Sequence, residues 1–449
     1  MSQWWCEHAW LGGDRVTEGA LITVSDGIIE AIEPNSPPGS GRRLHGLVLP
    51  GLANAHSHAF HRALRSRTQR DRGSFWTWRR LMYDVAGRLT PDLYRNLARA
   101  VYTEMALAGI TAVGEFHYLH HDTGGTRYAD PNEMGHALIA AAADAGIRLT
   151  LLDTCYLSAG VDGAPLADGP QRRFGDGDGD RWAQRVESLH RDAAACDHVL
   201  IGAAIHSVRA VPVAEMASVV AWAAAAEAPL HVHSSEQTAE VDQCLAVHGC
   251  TPTALMRDHG VLGDRTTAVH ATHLTETDIA DLRDSNSGVC FCPTTERDLG
   301  DGVGPAPALL AGPGPFSLGS DSHAVIDLFE EARAVELDER LVRRERGVLS
   351  ASRLLECATR DGHSALGWTG AGELRIGARA DLVAVDLNSV RTAGGGPGVE
   401  NAVFAATAAD VTDVVVDGRC VVADRRHHLL ADPGRALTET IAAVLGAAR

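Results

Sequence analysis

The sequence predicts an α/β fold: a (β/α)₈ TIM-type barrel joined to a small β-sandwich-like domain built from both termini. Short apolar runs alternate with alanine-rich helical stretches through the middle of the chain, which is typical of parallel βαβ units. There are eight such runs, the strand count of this barrel, and β-rich segments flank them at both ends. The runs are Leu47–Leu49, Thr111–Phe116, Leu149–Thr154, Val199–Ala204, Leu230–His233, Thr267–His270, Gly288–Phe291 and Pro315–Gly319.

The two flanking segments are predicted to meet in space as one β-rich domain. Near the N-terminus, Ser25-Asp26-Gly27 is a hairpin turn signal between two alternating segments. Near the C-terminus, Asp417-Gly418 is a second signal of this kind, and an alanine-rich helix is predicted over Pro433–Ala448. We therefore expect residues 1–48 and 370–449 to form the small domain, and residues 49–369 to form the barrel.

The net charge, the apolar stretches and the cysteine spacing of the chain disfavour several classes of protein. A net charge of -18 disfavours a nucleic-acid-binding protein, which needs a basic face. The sequence shows neither a secretory signal pattern nor a charge-free apolar stretch long enough to span a membrane. The nine cysteines lack the spacing of a disulfide framework, which is typical of reduced thiols in the cytoplasm. We therefore expect a cytoplasmic protein that binds a small molecule, with no nucleic-acid or membrane partner.

The strongest chemical motif is His56-Ser57-His58, after the first predicted strand. In a strand, residues i and i+2 point the same way, so both imidazoles aim at one point at the carboxyl-end mouth of the barrel. Taken alone, the motif also fits two exposed loop histidines. Other predicted strands end in further ligand-type residues, namely His231, His233, His270 and Asp321. Such side chains are costly to bury without a partner, and a shared zinc or similar divalent ion supplies one.

These residues resemble the motifs of the amidohydrolase superfamily. The matching segments are Pro50–His58, His233 with Glu236 three residues later, His270, Ser320-Asp321 and Gly377–Val383, and they span nearly the whole chain. Resemblance to the deaminase branch of this family implies one divalent metal ion per chain, with Zn²⁺ expected. The implied metal ligands are His56, His58, His233 and Asp321, and the implied proton-transfer residues are Glu236, His270 and Asp321.

The implied residues suit hydrolysis of a C–N bond. A divalent ion lowers the pKa of a bound water, so that hydroxide exists near neutral pH. Asp321 and His270 are suited to accept and orient the proton of the water. Glu236 is suited to pair with a cationic C=N group and then to pass a proton to the departing nitrogen. We therefore expect a metal-dependent hydrolase that releases ammonia.

Three loop segments make the resemblance more specific, because within the deaminase branch they are similar to the formimidoylglutamate deiminases of histidine degradation. These segments are Phe75–Arg79, Glu115–Tyr118 and His206–Arg209. The resemblance implies hydrolysis of a dicarboxylate, N-formimidoyl-L-glutamate, by a homodimer. The implied substrate-binding residues are His61, Arg79, Tyr118, His206 and Arg209, and arginine suits a carboxylate because its planar fork binds both oxygens. The chain departs from the family at His61, where the family has glutamine, and the two side chains differ in charge and reach.

Two other functions fit parts of the sequence. A deaminase of the same branch that acts on a purine-like ring would share the metal ligands, but the two arginines and the lack of an evident nucleobase clamp disfavour it. A catalytically inactive barrel that binds a ligand would share the fold, but the complete set of ligand and proton-transfer residues disfavours it. Arg79 and Arg209 taken alone also fit surface salt-bridge residues.

Overall fold

The computed structural model describes residues 1–39, 41–69 and 75–446, with side chains described from residue 78 onward in the last range. In these ranges the chain forms two eight-stranded sheets. One is a parallel barrel surrounded by helices, and the other is a largely antiparallel sheet contributed by both ends of the chain. The predicted fold class is therefore confirmed. The division into domains at the predicted residues stays a prediction.

The strands and helices of the described residues have the following bounds. The strands are β1 (Ser2–Trp10), β2 (Val16–Ser25), β3 (Ile28–Glu33), β4 (Arg42–Pro50), β5 (Leu52–Ser57), β6 (Ile110–His117), β7 (Arg148–Cys155), β8 (Val199–Ile205), β9 (Leu230–Ser234), β10 (Thr266–His270), β11 (Gly288–Phe291), β12 (Phe316–Leu318), β13 (Leu382–Val385), β14 (Val411–Val416), β15 (Arg419–Ala423) and β16 (Arg426–His427). The helices are α1 (Phe75–Ala86), α2 (Pro91–Leu107), α3 (Glu133–Ala145), α4 (Gly179–Ala193), α5 (Val213–Ala225), α6 (Thr238–His248), α7 (Pro252–Asp258), α8 (Glu276–Asp284), α9 (Pro293–Leu299), α10 (Ala306–Leu310), α11 (Leu328–Arg343), α12 (Ala351–Glu356), α13 (Gly362–Ala365), α14 (Val399–Phe404) and α15 (Pro433–Leu445).

The outer sheet joins the two ends of the chain in the order β16-β15-β14-β13-β4-β1-β2-β3. Both predicted hairpin turns are present, because Asp26 and Gly27, and likewise Asp417 and Gly418, have the positive φ angles that such turns require. Buried residues from both halves of the sheet share one apolar cluster, which gives the domain its sandwich-like core.

The first barrel strand differs from the predicted one. Leu47–Leu49 lies in β4, which pairs with β13 of the outer sheet, and the barrel begins with β5. The apolar run fits either sheet by composition, which is why the prediction was wrong. The chain passes from one sheet to the other at Gly51, where a Cβ atom would lie 2.2 Å from the Thr111 hydroxyl. Glycine is required there because the two sheets approach so closely.

A buried ion-pair cluster connects the barrel to the outer sheet. Arg148, at the start of β7, is fully buried and hydrogen-bonds to Asp381, which precedes β13. The same guanidinium lies 3.0 Å from Asp417. The Thr111 hydroxyl donates to Asp381 at 3.2 Å. These contacts fix the outer sheet against the amino ends of the barrel strands.

The predicted C-terminal helix is shorter than expected. It ends at Leu445, because Gly446 takes a left-handed conformation with φ +66° and terminates the helix. The predicted end, Ala448, lies outside the described residues. Within the described ranges, no helix is both long enough and apolar enough to cross a membrane.

Candidate metal centre and substrate cavity

The predicted ligands come together at the carboxyl ends of the barrel strands. His56 lies in β5, His233 lies in β9 and Asp321 follows β12. The barrel closes through these residues: the Asp321 N–H donates to the His56 carbonyl at 3.0 Å, and the His58 N–H donates to the Asp321 carbonyl at 3.3 Å. Closure of the barrel therefore fixes Asp321 beside both histidines of the motif.

The four side chains face one point. His56 Nε2 lies 3.1 Å from His233 Nε2 and 3.5 Å from Asp321 Oδ1. His58 Nε2 lies 3.4 Å from the same oxygen. Two nitrogens that bind one tetrahedral zinc ion are about 3.3 Å apart, given Zn–N distances of about 2.0–2.1 Å. The spacing of the donor atoms therefore fits a single ion.

Backbone carbonyls set the orientation of two of these rings. The Nδ1–H of His58 donates to the Phe116 carbonyl at 2.9 Å, and the Nδ1–H of His233 donates to the His206 carbonyl at 2.8 Å. Each Nε2 therefore carries a lone pair directed at the shared point. The neighbouring His231 points elsewhere, with its Nε2–H donating to the Ala365 carbonyl at 2.9 Å.

The protonation states of these side chains also fit a divalent metal ion. Burial lowers the pKa of His56 to about 3, and burial lowers the pKa values of His58 and His233 as well. Burial acts to raise the pKa of Asp321, but the surrounding histidines outweigh it and hold that pKa below its ordinary value. Neutral imidazoles and an ionised carboxylate are the forms that bind such an ion. His56 Nε2 faces the lone pair of His233 Nε2 at 3.1 Å, and a shared cation would bind both nitrogens when His56 carries its hydrogen on Nδ1.

A second group of side chains lies beside the centre. His270 Nε2 is 3.9 Å from Asp321 Oδ2 and 4.0 Å from Glu236 Oε1, and His270 Nδ1 is 3.3 Å from Glu296 Oε1. Burial lowers the pKa of an imidazole, but the three carboxylates outweigh burial and raise the pKa of His270 to about 10 when no ion is bound. The positive charge of a divalent ion beside the ring would lower that pKa and favour the neutral form. These contacts place one imidazole among three carboxylates, an arrangement suited to proton transfer.

A cavity opens over the centre, and all the residues predicted to bind substrate line it. They are His61, Arg79, Tyr118, His206 and Arg209. The same cavity is lined by the centre and its neighbours, namely His58, His233, Glu236, His270 and Asp321. One open cavity is therefore lined by three of the four candidate metal ligands, by the predicted proton-transfer residues and by two arginines.

Comparison with known proteins identifies the family. The sequence profile described as the Amidohydrolase family matches residues 47–421. This chain belongs to the amidohydrolase family. It is 39% identical over 415 residues to a formimidoylglutamate deiminase from Pseudomonas aeruginosa, a match that covers 90% of each chain.

Two solved structures resemble this amidohydrolase over nearly its whole length. A structure of an amidohydrolase from Brucella melitensis superposes with a TM-score of 0.91 at 34% identity, covering 99% of this chain and 100% of that one. An atrazine chlorohydrolase from Arthrobacter aurescens, solved in complex with zinc, superposes with a TM-score of 0.87 at 25% identity, again over 99% and 100% of the two chains.

Arg209 of this amidohydrolase bridges two glutamates at the wall of the cavity. Its Nη2 lies 3.1 Å from Glu236 Oε2, and its Nε lies 3.1 Å from Glu240 Oε2. The Glu240 side chain is fully buried, and its other oxygen accepts a hydrogen bond from the Ser235 N–H at 3.3 Å. Arg209 is therefore built into the cavity and is not a surface salt-bridge residue.

Arg79 lies in α1 and lines the cavity of its own chain. Its Nε–H donates to the Tyr83 hydroxyl at 2.7 Å. Gln171 donates to the same hydroxyl at 2.9 Å and to the Tyr156 hydroxyl at 3.2 Å. The polar wall around Arg79 thus continues to Tyr156, whose ring contacts His206 with centroids 4.4 Å apart.

His61, the position where the amidohydrolase departs from the expected glutamine, is buried beside the centre. Its Nε2 lies 2.9 Å from the Tyr118 hydroxyl, and its ring packs on that of His58 with centroids 4.4 Å apart. Burial lowers the pKa of His61 well below its ordinary value, so the ring is neutral. In this arrangement His61 and Tyr118 form one hydrogen-bonded pair on the cavity wall.

Sequence reasoning missed several polar residues of the site: Tyr83, Tyr156, Gln171, Glu240 and Glu296. Glu296 alone had a usable signal, because Pro293 after the run Gly288–Phe291 predicts a helix start at a barrel strand end, and Glu296 lies in the first turn. Tyr83, Tyr156 and Glu240 line the cavity, and Gln171 hydrogen-bonds to both tyrosines, from segments whose folding the motifs do not predict.

Proposed function

We propose that this amidohydrolase hydrolyses N-formimidoyl-L-glutamate to N-formyl-L-glutamate and ammonia. The observation that carries the proposal is the cavity itself, where Arg79 and Arg209 line the same space as the candidate metal ligands His58, His233 and Asp321. Two arginines suit a substrate with two carboxylates. The similarity to a protein named formimidoylglutamate deiminase supports the same substrate.

One divalent metal ion per chain, with zinc as the proposed ion, is held by His56, His58, His233 and Asp321. When bound, such an ion lowers the pKa of water and makes it a nucleophile near neutral pH. The match between the donor spacing and the zinc geometry supports this ligand set, as does the zinc complex of the structurally similar chlorohydrolase.

The proton transfers are assigned to His270, Asp321 and Glu236. The first two accept a proton from the attacking water as its oxygen bonds to the amidine carbon of the substrate. Glu236 pairs with the cationic C=N group and passes a proton to its nitrogen. When the tetrahedral carbon collapses, the C–N bond breaks and the carbonyl forms. Each proton released by the water passes through Glu236 to this nitrogen. The nitrogen therefore leaves as an ammonium ion, which is ammonia together with the proton that the cationic substrate brought.

The remaining cavity residues hold the rest of the substrate. Arg209 and Arg79 bind the two carboxylates, and His206, Tyr118 and His61 contribute hydrogen bonds to the bound molecule. A purine ring carries neither carboxylate, so it would leave both arginines without a matching anion. We further propose a homodimer in the cytoplasm; its oligomeric state is measured by light scattering.

Ammonia release by the purified, zinc-loaded protein tests the function. We expect turnover of formimidoylglutamate, weaker turnover of formimidoylaspartate and none of guanine or adenosine. Faster release from a purine would favour a ring deaminase instead. Tight binding of formimidoylglutamate with no release of ammonia from any of the four compounds would favour an inactive binding protein.

A further inference from the structure

Glu296 contacts His270 on the side of the ring away from the metal centre. Its Oε1 lies 3.3 Å from His270 Nδ1 and accepts a hydrogen bond from the Cys292 N–H at 2.8 Å. Both side chains are buried, with 5% of Glu296 and 1% of His270 exposed. A carboxylate is therefore fixed against one nitrogen of this imidazole.

This contact decides which nitrogen carries the hydrogen. An ionised carboxylate only accepts hydrogen bonds, so Nδ1 is the donor and Nε2 carries the lone pair in the neutral ring. Nε2 faces Asp321 Oδ2 at 3.9 Å and Glu236 Oε1 at 4.0 Å. The backbone of His270 has φ +69°, a conformation that residues other than glycine rarely adopt. Such a strained residue is held in place by the contacts around it.

We propose that Glu296 is a positioning residue for His270, an inference that rests on the proposed deimination. When Nε2 accepts a proton from the attacking water, the ring becomes an imidazolium, and its Nδ1–H then makes a charge-assisted hydrogen bond to Glu296. When Nε2 gives the proton up toward the departing nitrogen, the ring returns to the same tautomer. Glu296 thus keeps the lone pair of His270 directed at the reaction without touching the substrate.

A purely structural role for Glu296 is the alternative, because its contact with the Cys292 N–H also caps α9. Glu331 offers a matched control in the same place. It is a buried carboxylate on α11 that accepts hydrogen bonds from the N–H and hydroxyl of Thr294, in the first turn of α9. Replacing either glutamate with glutamine removes one buried carboxyl group that contacts the start of α9, but only Glu296 contacts His270.

The experiment compares the zinc-loaded wild type with Glu296→Gln and Glu331→Gln. For Glu296→Gln we expect kcat on formimidoylglutamate to fall by about 10- to 100-fold, the usual effect of losing such a supporting carboxylate, with KM and zinc content unchanged. For Glu331→Gln we expect kcat within about threefold of the wild type. A second measurement is the NMR signal of the ring N–H of His270, assigned by its loss in His270→Asn. The proton should lie on Nδ1 in the wild type and in Glu331→Gln, and its signal should shift in Glu296→Gln.

Three results would overturn the inference: a Glu296→Gln enzyme with wild-type kcat, an equal loss of kcat in both variants, or a wild-type ring that carries its hydrogen on Nε2. Failure of the proposed function is a separate result, because the wild type would then release no ammonia from formimidoylglutamate. The NMR comparison needs no substrate, so it still decides the role of Glu296 in that case.

Discussion

Replacing Arg209 with methionine tests the carboxylate-binding part of the proposed function. Methionine keeps an unbranched apolar stem and removes the guanidinium, which lies 3.1 Å from both Glu236 and Glu240. Losing a buried, hydrogen-bonded charge contact typically costs about 2–5 kcal/mol. At about 1.36 kcal/mol per tenfold, kcat/KM for formimidoylglutamate should fall by between about 30-fold and about 5,000-fold.

The single variant has a side effect that needs its own control. It leaves the buried Glu240 without its cation, and breaking a buried ion pair in this way destabilises a protein by about 3–5 kcal/mol. The double variant Arg209→Met with Glu240→Gln removes both charges and keeps the shape of the glutamate. Its free energy of unfolding should lie closer to that of the wild type, while its loss of kcat/KM should match that of the single variant.

Initial rates of ammonia release are measured for each variant with formimidoylglutamate and with an N-formimidoyl alkylamine that lacks carboxylates. Zinc content and circular dichroism establish that the variants are loaded and folded. We expect a loss with both substrates, because Arg209 also contacts Glu236, but a loss at least about tenfold greater with formimidoylglutamate than with the alkylamine. A folded double variant with wild-type kcat/KM on formimidoylglutamate would refute the assignment of Arg209, as would equal losses with both substrates.

Three further predictions follow from the site and the fold. Glu236→Gln should keep its zinc while kcat falls by roughly 10²–10⁴, as expected for a positioned acid–base group; wild-type kcat would make Glu236 structural. Asp321→Ala should lose zinc and activity together, and chelation should inactivate the wild type until zinc is restored; full activity of the metal-free protein would refute the metal assignment. Arg148→Leu, which leaves the buried Asp381 without its cation, should lower the free energy of unfolding in urea by about 3–5 kcal/mol. Arg379→Leu, at a more exposed ion pair, should lower it by about 1 kcal/mol or less, and equal losses would contradict this explanation.

Much of the fold could be predicted because its strands and helices have clear periodicities. Seven of the eight predicted barrel runs lie in barrel strands, and both hairpin signals form hairpins. The exception is the first strand, where the apolar run Leu47–Leu49 belongs to β4 and the true strand is Leu52–Ser57. That strand is rich in alanine and polar residues because its side chains pack against neighbouring strands and contribute to the candidate metal centre. A strand whose side chains form a functional site has few large apolar residues, so its hydrophobic pattern in the sequence is weak.

Strand geometry predicts that His56 and His58 face one point, whereas the choice of His233 and Asp321 as further ligands comes from the resemblance to the amidohydrolase family. Two residues spaced i and i+2 in β5 share a direction, and the ends of parallel strands share one rim of the barrel. The partners of Arg209 and His270 could not be predicted in this way. Glu240 and Glu296 reach them from helices that follow later strands, and sequence spacing does not specify which helical side chain turns back over the rim.

The missed partners change how the arginine is understood. From the sequence, Arg209 is predicted to bind a substrate carboxylate. In the structure its guanidinium already contacts two carboxylates of the protein, those of Glu236 and Glu240. A substrate carboxylate therefore has to share or replace a contact that the protein makes for itself, so its net gain is smaller than that of an anion meeting an unpaired cation. The buried contact with Glu240 keeps the guanidinium at the cavity wall, whereas Glu236 is also the residue to which we assign a proton transfer. We therefore expect the loss of kcat/KM in Arg209→Met to lie toward the lower end of the range given above. Glu240→Gln removes the contact that holds the arginine in place but keeps the arginine itself, so it distinguishes the positioning of Arg209 from its binding of the substrate.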